Sequence, residues 1–324
     1  MKKNWFVRRV VGLMIWMLVA AGLIFRFTVR DTYLRWSVIY YVTPLPALPI
    51  LFLLAGLAVP PGLSWKRNDK AVVPRSRFSM GRLNLFFGLA SLVWAMYSEC
   101  GYRGQPTTSE DIRLVFWNVA RVQAGTSRLA APLLSWKSSV IALVEADEKY
   151  KLKLADWQAA LPGYTVVPTR FGGLIAVDGT AAAHPDRLLS AGCYCQPFDL
   201  HVRDADFTLL LVDISSDLRC SKRPPLEALA KIAEEFADRP VVIAGDFNTP
   251  DDSVWFAPLR THFREAFRDR GTGYAATWPL PLPVLTLDQV WVNELVDVSQ
   301  CQHGWTIYSD HRPVVTDMSF RHRR

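Results

Sequence analysis

Asp246 and Asn248 stand two apart in Gly245-Asp-Phe-Asn-Thr-Pro250, directly after the apolar run Val241–Ala244. Turn chemistry alone accounts for these residue types, since Asp, Asn, Thr and Pro all favour turns. Four other runs carry the same polar tip. Phe116-Trp117 ends in Asn118, Ile141–Val144 ends in Glu145, Leu285-Thr-Leu287 leads to Asp288, and Ser309-Asp310-His311 precedes Pro313-Val-Val315. One such tip is an ordinary strand end. Five of them, all Asn, Asp, Glu or His, point to a shared site. Such a set suits phosphoryl transfer. Magnesium takes oxygen ligands and keeps several waters, so one or two carboxylates anchor it. It polarises a phosphoryl oxygen and steadies the leaving group. An Asp–His pair activates water, because the Asp fixes the imidazole tautomer and stabilises its charged form. An Asn orients a phosphate oxygen without adding negative charge, which explains why Asn248, and not a second carboxylate, follows Asp246.

These side chains need strands to deliver them. Residues 112–119, 140–145, 165–168, 174–177, 208–214, 241–246, 288–292 and 313–318 read as strands. Between them, residues 225–237 place Leu226, Leu229, Ile232, Ala233 and Phe236 at helical spacing. Residues 121–136 and 147–161 are predicted as helices too. Alternating strands and helices over about 210 residues make one α/β domain with a substantial core.

Asn118, Glu145, the Gly-Asp-Phe-Asn of 245–248, Leu287-Asp288 and Ser309-Asp310-His311 resemble, in that order, the signature of the endonuclease/exonuclease/phosphatase superfamily, the deoxyribonuclease-I-like fold. The resemblance runs from about residue 112 to 318. It implies a four-layer α/β sandwich, two face-to-face sheets with helices outside. It also implies a magnesium (or manganese) enzyme, with Glu145 as principal ligand and Asn118 and Asp310 at or beside the metal. Asp246 would position or deprotonate the water, Asn248 would bind phosphate, and His311, oriented by Asp288, would act on the phosphate. The expected substrate is a phosphoester: lipid, nucleotide or nucleic acid. Two positions depart from the pattern. The strand before Gly245 usually carries His or Tyr, and this chain has Asp213-Ile-Ser215 there. Gln289 follows Asp288, where His or Tyr is common. The departures leave a second reading open, a weak or inactive relative serving as a binding or signalling module.

Charge separates the chain into two parts. Residues 1–104 hold 14 Lys and Arg against three acidic residues, whereas residues 105–324 hold 23 against 27. The basic pI therefore belongs to the first third, and the later region offers no basic field for a phosphate backbone. Residues 10–25, 36–59 and 83–97 are uncharged, and residues 1–104 are read as a membrane region with about three spans. The first run, following Lys2, Lys3, Arg8 and Arg9, also has the form of a signal peptide, but no small-residue cleavage site follows it. Six basic residues between the second and third runs (Lys66, Arg67, Lys70, Arg75, Arg77 and Arg82) favour an inside loop. Three spans then place residues 105–324, the catalytic domain, outside a bacterial cytoplasmic membrane; two would leave it inside.

Overall fold

The computed structural model describes residues 2–58, 80–148 and 151–321. Val59 and five basic residues of the second loop, Lys66 to Arg77, lie outside the described residues. The chain divides into two compact units, Met1–Glu99 and Cys100–Arg324.

The first unit holds α1 (Lys2–Ile24), α2 (Leu34–Val42), α3 (Ala47–Ala58) and α4 (Met80–Glu99). Among the described residues, one helical stretch, Val10–Val29, is long and apolar enough to cross a membrane. The second apolar run is not a straight rod. Its prolines at 44 and 46 fall between α2 and α3, which meet at 77° and amount to a span only when taken together. Helix α4 is 20 residues long, but Arg82, Asn84, Ser91 and Ser98 dilute its apolar content, and it does not reach the same standard. Among the described residues, one candidate span and one bent pair thus stand beside the three plain spans expected.

The second unit is built on two mixed sheets. The first runs β1 (Cys100–Tyr102), β12 (Gly271–Tyr274), β14 (Val296–His303), β15 (Val314–Phe320), β2 (Ile112–Asn118), β3 (Val140–Val144), β5 (Leu174–Val177), β4 (Thr165–Pro168). The second runs β11 (Arg264–Glu265), β13 (Asp288–Val292), β10 (Val241–Asp246), β9 (Ala205–Asp213), β8 (Cys193–Val202), β6 (Thr180–Ala183), with β7 (Arg187–Ser190) also on β8. Alternation along each central strand sends one set of side chains between the sheets. Leu114, Phe116, Ala142, Val144, Leu209, Leu211, Val242, Ala244, Val290 and Val314 form that inner core. The opposite set on the first sheet, including Val115, Trp117, Ile141 and Leu143, packs under α5 (Thr126–Ser135) and α6 (Leu154–Ala160) through Leu129, Leu133 and Trp157. On the second sheet, Leu210, Val212, Val241 and Ile243 pack under α7 (Arg223–Glu234) through Leu226, Leu229 and Ala233. A short α8 (Ala266–Arg270) begins under a Glu265 side-chain cap. The result is the four-layer sandwich, helix–sheet–sheet–helix. Burying each large aliphatic side chain contributes about 1.5–3 kcal/mol, so the interior sets the strand register that the site needs.

Candidate active site

Each site strand runs its apolar side chains into the inner core and then places one polar residue beyond it, at a single edge of the sandwich. Asn118 follows Phe116, Asp246 follows Ala244, and Asp288 precedes Val290, all on inward-facing positions. Gly245 lies between: a Cβ there would come within 2.4 Å of the Val212 carbonyl oxygen, so only glycine lets β10 lie this close to β9. Glu145 and Asn248 leave their strands in the left-handed region, at φ 50° and 44°. Neither is glycine, and such backbone strain clusters at functional sites.

The side chains form one connected network. His311 and Asp288 share a hydrogen bond at 2.8 Å between Nδ1 and Oδ2. The other imidazole nitrogen stands 4.0 Å from Asp246 Oδ2. Asn118 donates through Nδ2 to Asp246 Oδ2 at 2.9 Å and to Glu145 Oε1 at 3.3 Å, and its Oδ1 accepts the Ala120 N–H at 3.0 Å. It is therefore the bridge between the two carboxylates. Asn248 N donates to Asp246 Oδ1, and Asn248 Nδ2 donates to the Ile214 carbonyl, both at 2.9 Å, which leaves a second amide hydrogen for an anion. Asp310 is exposed and accepts the Trp278 indole N–H at 3.0 Å. Thr277, beside that tryptophan, accepts the N–H groups of Leu287 and Asp288 and so fixes the start of β13.

Charge is unevenly balanced here. Burial opposes a charge on His311, but Asp288 and Asp246 outweigh it and hold the imidazolium up to about 10. Burial, reinforced by Asp288 and only partly offset by His311, Asn118 and Asn248, raises Asp246 to about 7. Asp246, Asp288 and His311 bring ligand-type atoms within 4.8 Å of one another. The imidazolium already supplies the positive charge of that group. A further cation is better served by Glu145, which is partly open to solvent, has Arg121 Nε only at 3.6 Å, and accepts one long hydrogen bond. A solvent-open carboxylate is the kind of oxygen donor that a hard divalent ion takes.

Sequence reasoning missed Arg121. Residues 120–122 form a left-handed turn, φ 47°, 53° and 57°, instead of opening the helix expected over 121–136, and this turn brings Arg121 to Asp147 at 3.2 Å and towards Glu145. No pattern in the sequence marks it. The departure at Gln289 faces away from the site. Its side chain lies on the outer face of the second sheet, donating to the Thr249 and Thr286 carbonyls and accepting from Trp291. The departure at Asp213 is different: it sits in the same row as Asp246.

The titrations give a stability prediction. His311, ordinarily 6.5, is raised to about 10, so its stabilising contribution is present below pH 6.5 and is lost as pH rises towards 10. Asp246 and Asp213, ordinarily 3.8, are raised to about 7 and 8, so the folded state prefers them protonated and weakens as pH rises through those values. His303, pushed down to about 3 by burial, is already neutral above pH 6.5 and does not oppose this trend. The thermal midpoint of metal-free protein should fall by on the order of 5 °C between pH 6.5 and 9. Magnesium should raise the midpoint more at pH 9 than at pH 6. A flat profile by circular dichroism, with equal magnesium shifts at both pH values, would contradict this electrostatic account.

Comparison with known proteins agrees with the geometry. The model of the Endonuclease/Exonuclease/phosphatase family matches residues 115–311, more than half of the chain, and the chain belongs to that family. No curated protein matches. Among solved structures, an endonuclease/exonuclease/phosphatase from Bacteroides vulgatus is similar at 15% identity and TM-score 0.53, over 65% of this chain and 99% of its own. A mannosyl-6-phosphatase from Bacteroides thetaiotaomicron is similar at 14% identity and TM-score 0.51, over 64% and 100%. Truncated TDP2 from Caenorhabditis elegans is similar at 14% identity and TM-score 0.51, over 66% and 99%. At these identities the likeness is one of fold.

Proposed function

We propose that the chain is a membrane-anchored, divalent-metal-dependent phosphoester hydrolase, a phosphodiesterase, nuclease or phosphatase. The observation that carries this reading is the network in which Asn118 bridges Glu145 and Asp246 while His311 joins Asp246 to buried Asp288. In this reading Glu145 would be the principal magnesium ligand, with Asn118 and Asp310 at or beside the ion as the family resemblance implies, and the ion would supply charge to the phosphoryl oxygens. Asp246 takes the proton of the attacking water. The free amide hydrogen of Asn248 and the His311 imidazolium hold phosphoryl oxygens. Asp288 keeps that imidazolium oriented and charged.

The substrate is a phosphoester of lipid, nucleotide or nucleic-acid type. The mildly acidic second unit argues against duplex DNA, and an anchor argues for a lipid or extracytoplasmic ester. The Val10–Val29 helix supports membrane attachment. Residues 105–324 lie outside if the bent pair and α4 both cross, an arrangement supported by the positive charges of the second loop.

The test uses the full chain in detergent with bis(4-nitrophenyl) phosphate. Magnesium-dependent release of nitrophenol is expected, with Glu145→Ala losing roughly 10³-fold or more and needing more magnesium. Magnesium-dependent activity that survives Glu145→Ala would remove the metal assignment. No turnover and no magnesium binding would favour the non-catalytic module.

A further inference from the structure

Three strands of the second sheet set a row of carboxylates across the site. Asp288 on β13 is paired with Asp246 on β10, and Asp246 is paired in parallel register with Asp213 on β9. The row continues to Tyr194 on β8. All four are on inward-facing positions, because Val290, Ala244, Leu211 and Phe198 on the same strand faces belong to the inner core. Neighbouring strands lie about 4.8 Å apart, so Asp213 stands one strand spacing from Asp246, on the side opposite His311 and Asp288.

The two sides differ in their company. His311, with its Asp288 partner, is tied to one flank of Asp246. On the other flank Asp213 is half-buried, and among the described residues no side chain or backbone N–H hydrogen-bonds to its carboxylate. Its charged surroundings are Asp246, Glu145 and Asp147, opposed by Arg121, which is itself held at Asp147. An ionised carboxylate is poorly served there; a neutral carboxylic acid, which donates, is well served. Burial first, then Asp246 and Glu145, push Asp213 up to about 8. Beyond it Tyr194 stacks on Phe171, centroids 5.6 Å apart and planes within 7°, forming an apolar wall at the end of the row.

In-line displacement puts the attacking water and the leaving oxygen on opposite sides of phosphorus. With the water at Asp246 and His311 with Asp288 on its β13 flank, the flank towards β9, where Asp213 stands, is the one left for the leaving oxygen. We propose that Asp213, as a carboxylic acid, donates the proton that the leaving oxygen takes up when the ester bond breaks. This rests on the hydrolase reading above. The water oxygen bonds to phosphorus and its proton passes to Asp246, while the phosphorus–oxygen bond breaks and the Asp213 proton passes to the departing alkoxide. Solvent then returns a proton to Asp213 and removes one from Asp246. The position that departs from the family pattern is thereby given a chemical role of its own.

The test separates leaving groups that need a proton from those that do not. With the full chain in detergent and magnesium, Asp213→Asn should lower kcat/KM for dibenzyl phosphate by roughly 10²-fold and for bis(4-nitrophenyl) phosphate by less than about fivefold. Asp213→His should recover much of the dibenzyl phosphate activity. Equal losses on both esters, or none on either, would overturn the assignment. Equal losses with a higher magnesium requirement would make Asp213 a cation ligand instead, and would also overturn it. Absence of turnover by the unmodified chain on either ester would overturn the hydrolase reading and this proposal with it.

Discussion

Asp246→Asn will fold, and it will lose roughly 10³-fold or more of kcat/KM on any phosphoester the protein cleaves. The substitution preserves shape and removes the one property the proposed mechanism needs, a carboxylate able to take a proton beside the attacking water. Its cost to the fold is small for a physical reason. Asp246 is buried at 1% exposure and raised to about 7, so the folded state already disfavours its charge. An amide removes that charge, at the expense of one of the bonds from Asn118 or Asn248, whose N–H groups would face an NH₂. The thermal midpoint at pH 8 should therefore stay within a few degrees of the unmodified protein, while activity disappears. Activity within tenfold of the original would remove Asp246 from the role of base. Collapse of the midpoint would instead mark it as a structural residue.

Much of this candidate site was legible because strands of an α/β sandwich advertise themselves. Val241–Ala244, Ile141–Val144 and Val290–Val292 are continuous or alternating apolar runs that cannot be left in water, and the polar residue that ends each run must lie at an edge of the sheet. The order Asn118, Glu145, Asp246–Asn248, Asp288, Asp310–His311 then gave the constellation. Other elements gave no such signal. Strand β8 mixes Pro197, Asp199 and His201 into its sequence, and its partners β6 and β7 are only four residues each, so their pairing depends on tertiary contacts and not on local pattern. The helix expected over 147–161 shrinks to Leu154–Ala160, as Glu148 and Lys151 pair with each other in a bridge. Arg121 reaches the site only through three left-handed residues, a backbone choice that Ala, Arg and Val do not announce. Gln289 shows the opposite error. It adjoins a site residue in sequence, yet strand alternation turns it to the other face, where it supports Trp291 and the Thr249 carbonyl.

His311→Gln will lower kcat/KM by roughly 10²–10⁴-fold and will also move the acid limb of the pH–rate profile to higher pH. The second effect is the more diagnostic. His311 is 7% exposed and lies between Asp288, at 0%, and Asp246, at 1%. Its imidazolium is the cation that restrains the proton affinity of Asp246. Glutamine can still donate a hydrogen bond to Asp288, but it carries no charge, so Asp246 is left facing Asp288 without compensation. The Asp246 proton should then be held more tightly, and the pH at which activity reaches half its plateau should rise by about one unit or more. Asp288→Asn acts in the reverse sense on Asp246, by removing the neighbouring negative charge, so its acid limb should move down even as the imidazole loses its anchor. Because the three groups act as a unit, the double variant should lose less than the product of the single losses. Profiles that fall in height with no lateral movement in either variant would mean that His311 serves by shape and hydrogen bonding alone, and that its charge does not set the proton affinity of the base.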